Sequence, residues 1–234
     1  MKKAKPLPLD KIIQNQGFGT RAYCRALIEA NDVMVRGAPC DDPDALFDLA
    51  DLDFSIEGEP HRYRTNVYIV LNKPVDFECS QKPKHHKSVL ALLPSYLRER
   101  SNQSVQPVGR LDVDTTGLLL LSDDGQFIHK NTSPKKQVDK VYHATCKHAM
   151  DDAFLTELKN GVLLHDENQT IKAVNARALT THLLELTIQE GKYHQVKRMI
   201  AAAGNRCEAL HRLSVGEFSL PDDLAIGDWR FLEL

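Results

Sequence analysis

The chain has 234 residues, 42% of them hydrophobic and 26% charged, which suits one or two globular domains and excludes a disordered, collagenous or coiled-coil chain. Thirty Lys+Arg against 32 Asp+Glu give a net charge of −2, an average that argues against nucleic acid until the charges are located. They are segregated, with seven basic and three acidic residues in 1–36, then none and eight in 37–59.

From the N-terminus, Leu9, Ile12 and Ile13 fall at helical spacing, and Gly17 and Gly19 break the pattern. Thr20 is placed to cap a second helix with Tyr23, Ala26, Leu27 and Ala30 on one face. Arg21 and Arg25 lie on another face, where they can meet phosphates. Val33–Val35 leads into a turn at Gly37, and Leu52–Ile56 alternates like a strand. Residues 57–66 are polar, punctuated by Gly58 and Pro60, and read as a linker. Beyond it, strands are expected at Val67–Leu71, Leu118–Leu121, Val141–Cys146, Val174–Ala178, His182–Ile188 and Trp229–Leu232. Helices are expected at Ser88–Leu93, Gln126–Asn131, Asp151–Asn160 and His194–Ala203, the last two stopped by Gly161 and Gly204. Strands and helices mix without a βαβα period, so the expected class is α+β with a mixed or antiparallel central sheet.

The charged start Met1–Pro6 runs into no apolar signal-peptide core. Apolar runs such as Val67–Leu71 fall far short of the roughly 20 residues that span a bilayer. The five cysteines are scattered, with no Cys-x-x-Cys pair, which disfavours a disulfide framework or a zinc site. A cytoplasmic protein with no membrane partner is expected.

Chemistry concentrates in three stretches. Gly109–Gly117 is a polar loop feeding the apolar Leu118–Leu121. In extended backbone Arg110 and Asp112 point to the same side, so the arginine can support a partly buried carboxylate. Two other readings stay open: Asp112 and Asp114 as a D-x-D metal site, or a capped turn of structural value only. Lys140-Val141-Tyr142 follows a lysine-rich segment, a ring beside cations that suits base stacking. Glu190–Met199 turns from Gly191 into a helix whose first turns carry Lys192, His194, Lys197 and Arg198. Cations there oppose the helix macrodipole, and an anion or a carboxylate facing them would explain the choice. Further basic groups are Lys82–Lys87 and Lys130–Lys147, and local positive potential of this kind binds a phosphate backbone whatever the net charge.

In that order, Gly109-Arg110-Leu111-Asp112 with Asp114-Thr115-Thr116-Gly117, Lys140-Val141-Tyr142 and Gly191–Met199 resemble the motifs of the pseudouridine synthases. Asn72-Lys73-Pro74 resembles the ribosomal subgroup, and Thr132-Ser133-Pro134 with Leu210-His211-Arg212 resemble its small-subunit branch. Residues 7–58 resemble the alpha-L RNA-binding motif of small-subunit ribosomal protein four. The resemblance implies an alpha-L domain at 1–58, a linker at 59–66 and a catalytic domain at 67–234. It also implies Asp112 as the catalytic aspartate, Tyr142 stacking on the uracil, Lys197 as the basic partner of the aspartate, and Arg110 beside it in the motif. RNA contacts are then expected from Arg21, Arg25, Lys73, Lys84, Lys87, Lys135, Lys136, Lys140, His194 and Arg198. The implied reaction isomerises uridine in 16S ribosomal RNA, free or in the assembling small subunit, by a monomer with no metal or cofactor. Alternatives are a large-subunit rRNA synthase, a non-catalytic rRNA-binding assembly factor, and a metal-dependent phosphoryl transferase using Asp112 and Asp114.

Overall fold

The computed structural model describes residues 5–100, 104–164 and 170–234, so Lys2 and Lys3 of the basic start lie outside the described residues. The chain divides into two units: residues up to Val67 together with Leu93–Val105, and Tyr68–Leu92 together with Gln106–Leu234.

In the first unit, helices α1 (Leu9–Asn15) and α2 (Arg21–Glu29) appear where the periodicity places them. Thr20 caps α2 by accepting from the Tyr23 N–H at 3.2 Å, which satisfies one of the open donors of its first turn. Strands β1 (Val33–Val35), β2 (Ala38–Pro39), β3 (Asp53–Ile56) and β4 (Glu59–Arg62) form an antiparallel sheet in the order β2-β1-β3-β4. Leu9, Ile12, Ile13, Leu27, Ile28, Val33 and Phe54 close its core. Two expectations change here. The first four residues of the supposed linker, Glu59–Arg62, are a strand paired along β3, because a short polar edge strand carries no apolar signature. The segment Leu93–Val105, which includes the short helix α3 (Ser95–Arg98), belongs to this unit. There Tyr96 stacks on Phe18 with ring centroids 4.9 Å apart. The Arg100 guanidinium donates to Gln16 Oε1 at 3.1 Å and to the Arg64 carbonyl at 2.6 Å. Gly17 makes the approach possible, since at its φ of +92° a Cβ would sit 2.0 Å from the Tyr96 carbonyl oxygen.

Arg21 and Arg25 have partners inside the unit. Both reach the Asp10 carboxylate at 2.8 Å, and Asp10 is fully buried. Arg25 also grips Asp44 with two bonds, at 2.9 and 3.0 Å. Burial alone would raise the Asp10 pKa, but the hydrogen bonds from the two guanidiniums bring it below the ordinary carboxylate value. The Arg25 side chain thus neutralises two carboxylates of its own domain, while that of Arg21 stays half-exposed.

The second unit is built on a nine-stranded mixed sheet. Its strands are β5 (Tyr68–Lys73), β6 (Gln106–Val108), β7 (Thr115–Ser122), β8 (Lys140–Cys146), β9 (Asn175–Ala178), β10 (Leu183–Ile188), β11 (Cys207–Val215), β12 (Phe218–Ser219) and β13 (Trp229–Phe231). The main order is β9-β10-β8-β11-β7-β5-β13, with β6 added to β7 and β12 to β11. The β7–β11 pair is parallel and the other pairs are antiparallel. Leu118–Leu121 are all fully buried, as a continuous apolar run covered on both faces requires. Helices α5 (Asp152–Asn160) and α6 (Gln195–Ala202) fall within the expected stretches and α4 (Gly125–Thr132) extends the expected Gln126–Asn131 by one residue at each end, while the expected helix at Ser88–Leu93 is a 3-10 turn, Val89–Leu92. Strand β11 is absent from the elements expected above. Its pattern of half-exposed and buried residues has no clean apolar alternation, yet it joins β7 to β8. Gly117 lets β11 approach: at φ +102° its Cβ would lie 2.3 Å from the Arg212 carbonyl oxygen. Among the described residues no helix is long and apolar enough to cross a membrane.

Candidate active site

The loop Gly109–Asp114 enters β7, and its backbone is held from below. The Thr115 N–H donates to the Asp112 carbonyl at 3.1 Å, and the Asp76 N–H to the Val113 carbonyl at 2.9 Å. The Leu111 N–H reaches Cys79 Sγ at 3.4 Å. Lys73, at the end of β5, sends its ammonium to the carbonyls of Pro74, Asp112, Val113 and Thr115 at 2.9, 3.1, 3.2 and 3.0 Å. Three N–H donors serve four acceptors, so one proton is shared. The side chain is fully buried, which corrects the expectation that Lys73 touches RNA. Burial pushes its pKa down, against the pull of Cys79 and the nearby aspartates. Lys73 is the floor of the Asp112 loop.

Above that floor stand His194 and Lys197, at the start of α6. His194 sits at the N-cap in the left-handed region, φ 46°, with its ring stacked on Tyr193 at 3.8 Å between centroids. From there its Nε2 lies 3.4 Å from Asp112 Oδ1, and Lys197 Nζ lies 3.4 Å from Asp112 Oδ2. Lys197 also pairs with Asp114. The anion that the helix cations called for is therefore the Asp112 carboxylate, with Asp114 beside it. Burial alone would raise Asp114 and lower Lys197, but each offsets this for the other. Asp114 ends below, and Lys197 above, its ordinary value. At 3.4 Å and an effective dielectric near 20, the Lys197–Asp112 attraction is about 5 kcal/mol before desolvation. The Asp112/Asp114 pair is thus spanned by an ammonium, and among the described residues no group of three or more His, Cys, Asp and Glu is arranged to hold a metal.

A pocket opens at this carboxylate, lined by Arg110, Asp112, Tyr142, Ile188, His194 and Leu210 among others. Arg110 is exposed at its edge and makes no ion pair with Asp112 among the described residues, so the ammonium paired with Asp112 comes from α6 and not from its own loop. Tyr142 is buried on β8, opposite Arg212 of β11 in register. The Arg212 guanidinium carbon lies 6.0 Å from the Tyr142 ring centroid, and its Nε donates to the Leu118 carbonyl at 2.8 Å. Such a cation over a ring face is attractive by roughly 0.5–2 kcal/mol. Arg212 Nη2 and Thr115 Oγ1 are buried without a hydrogen-bond partner. Neither residue stands out from the sequence as a site residue, because only the unexpected strand β11 brings Arg212 under the tyrosine.

The remaining candidates separate into two groups. The Lys140 ammonium is partly buried and donates to the carbonyls of Val138 and Gln189 at 2.9 Å each, so it staples the start of β8. Arg198 donates to the Tyr193 carbonyl at 3.1 Å and helps fix the turn before α6. Lys84, Lys87, Lys135 and Lys136 are exposed, as a phosphate contact requires.

The family described as RNA pseudouridylate synthase matches residues 67–202. The chain is 37% identical to the uncharacterized RNA pseudouridine synthase YtzG of Bacillus subtilis, over 96% of this chain and 94% of that one. It is 38% identical to ribosomal small subunit pseudouridine synthase A of Escherichia coli, over 95% and 94%. A solved structure of a pseudouridylate synthase superposes with a TM-score of 0.66 at 33% identity, over 97% of this chain and 96% of its own. A chain of an archaeal Nop10–Cbf5 complex, at 18% identity and a TM-score of 0.50, shares the fold over 69% of this chain and 51% of its own. With the family matching more than half of its length and relatives of this identity spanning nearly all of it, the chain belongs to the RNA pseudouridylate synthase family.

Proposed function

We propose that the chain converts a uridine of small-subunit ribosomal RNA to pseudouridine, with Asp112 as the catalytic group. The observation that carries this reading is the Asp112 carboxylate set between Lys197 and His194 at the mouth of the Tyr142 pocket. The small-subunit target rests on relatives named ribosomal small subunit pseudouridine synthase A, such as those at 36% and 38% identity over 93% and 94% of their length.

In this mechanism Asp112 acts on the ribose side of the glycosidic bond, and the bond between uracil N1 and ribose C1′ breaks. The base turns and its C5 bonds to C1′; C5 loses a proton and N1 gains one, so the reaction is an isomerisation with no net change of atoms. Tyr142 stacks on the base while it is detached and assists the C5 proton transfer, a role supported by its ring lying against Arg212. Lys197 and His194 fix the direction of the Asp112 carboxylate, and Lys73 fixes its backbone. A uridine within folded rRNA must be extruded, at a cost of a few kcal/mol, and the exposed Lys84, Lys87, Lys135 and Lys136 supply binding energy against that cost. The first unit, with its two helices and small sheet, acts in this proposal as an alpha-L type RNA-binding module.

The test maps pseudouridine by carbodiimide and primer extension across 16S and 23S rRNA, from cells with and without the chain. Loss of a single 16S site, restored by the wild-type chain, is expected. Loss of a 23S site instead moves the target to the large subunit, and no change in either RNA refutes the rRNA reading.

A further inference from the structure

The loop Glu78–Ser88 is an exposed basic feature of the second unit, with Lys82, Lys84, His85, His86 and Lys87 all facing solvent. It is nevertheless folded around a carboxylate. Glu78 Oε1 accepts from the N–H groups of His85 and His86 at 2.7 and 2.9 Å, and Oε2 accepts from that of Lys84 at 3.0 Å. The loop ends are joined by parallel pairing of Phe77–Glu78 with Lys87–Ser88, and Ser88 Oγ donates to the Ser80 carbonyl. Inside the turn, the Lys82 N–H donates to Ser80 Oγ at 3.0 Å.

Three successive N–H groups converging on one point form the kind of concavity that binds an anion such as phosphate. In this chain Glu78 fills it from within. Those N–H bonds hold the Glu78 carboxyl down to about 2, well below its usual value, so the carboxylate stays in place throughout the working pH range. A negative charge at the centre of a basic loop lowers its attraction for RNA, which makes sense when the carboxylate is what gives the loop its shape. The base of the loop meets the catalytic loop directly, through Asp76 N–H on the Val113 carbonyl and Cys79 Sγ under the Leu111 N–H.

We propose that Glu78–Ser88 is a prefolded phosphate clamp for the RNA strand flanking the target uridine, and that Glu78 is the positioning residue that folds it. The proposal rests on the pseudouridine synthase reading above. It assigns Glu78 an effect on RNA engagement, exerted through Lys82, Lys84 and Lys87, and none on the chemical step.

The experiment uses the full chain and a 16S rRNA fragment transcript as substrate. It compares wild type, Glu78→Ala, Glu78→Gln, the triple variant Lys82→Ala/Lys84→Ala/Lys87→Ala, and the triple variant with Glu78→Ala added. Thermal melts confirm folding. Glu78→Ala is expected to raise KM about tenfold and change kcat less than about twofold. The slope of log affinity against log salt should become shallower by roughly 0.7–0.9 for each phosphate that the loop no longer neutralises. Glu78→Gln, whose single carbonyl oxygen can still take the His85 and His86 donors, should fall between wild type and alanine. Adding Glu78→Ala to the triple lysine variant should change KM no further. An unchanged KM and salt slope in Glu78→Ala overturns the proposal. So does tighter RNA binding, which would mean that phosphate enters the vacated concavity, and so does a loss confined to kcat. If the wild type forms no pseudouridine in this RNA, the functional reading fails on its own, and the salt dependence of filter-binding affinity in the same variants still decides the clamp.

Discussion

Replacing Lys73 with methionine keeps the length and apolar stem of the side chain and removes only the ammonium beneath the Asp112 loop. Four carbonyls lose a donor, though two keep another: Asp112 O retains the Thr115 N–H and Val113 O retains the Asp76 N–H. An orphaned buried acceptor costs about 1–3 kcal/mol. Against this, the variant no longer buries an ammonium without a carboxylate partner, a desolvation cost of several kcal/mol. Two carbonyls left without this donor, at that cost each, lose about 2–6 kcal/mol and the relieved desolvation offsets part of it, so Lys73→Met is expected to lower the unfolding free energy, read in urea by the fluorescence of Trp229, which lies in the same unit. Activity should suffer more than stability suggests, because a shift of about 1 Å in a catalytic group costs on the order of 100-fold in rate. The loss should appear in kcat under single-turnover conditions, with RNA affinity nearly unchanged, since the side chain is out of reach of any RNA. A Lys73→Met variant within about 1 kcal/mol of wild type, with wild-type kcat, would refute the role of this ammonium as the support of the loop.

Other expectations follow from the same contacts. Arg25→Ala leaves buried Asp10 with Arg21 as its one guanidinium partner and should destabilise the first unit, seen as faster hydrogen exchange at the Leu9–Glu29 amides. Unchanged exchange with weakened RNA binding would assign Arg25 to RNA instead. Lys197→Met should lower kcat by about 100- to 1,000-fold, the usual loss when one aimed electrostatic group is removed, and a kcat near wild type would sink its pairing role. The Asp114–Lys197 pair should contribute its full stability between the ordinary carboxylate value of 3.8 and the ordinary lysine value of 10.5. Asp114 is lowered, so its share is lost as pH falls through its folded value; Lys197 is raised, so its share is lost as pH climbs through its own. Asp114→Asn should therefore flatten the acid limb of a urea-midpoint profile, and an acid limb as steep as that of wild type would contradict this.

Much of the fold was legible because its strongest signals are local. Leu118–Leu121 is an apolar run of strand length, and Thr20 stands just before an apolar-periodic stretch, where a cap belongs. The cations at the start of α6 violate a local rule, and that violation pointed to a carboxylate facing them. What escaped reading depends on distant partners. The polar β11 becomes a central strand only through β7 and β8 on either side. Lys73 and Lys140 looked like surface cations, but each ends on backbone carbonyls, and a lysine's sequence neighbourhood does not reveal such an end. The ion pairs of Arg25 inside its own unit were not legible because its partners, Asp10 and Asp44, are 15 and 19 residues away. Leu93–Val105 gave no compositional sign of returning to the first unit.

The role of Asp112 is tested most simply by Asp112→Asn, assayed for pseudouridine formation in a 16S rRNA transcript. The change preserves the side-chain shape and leaves the Lys73 and Thr115 bonds to the Asp112 carbonyl intact. No detectable product is expected from a variant that melts at the wild-type temperature and binds the transcript with wild-type affinity. Substantial product from that folded, RNA-binding variant would mean that the carboxylate between Lys197 and His194 is not the catalytic group.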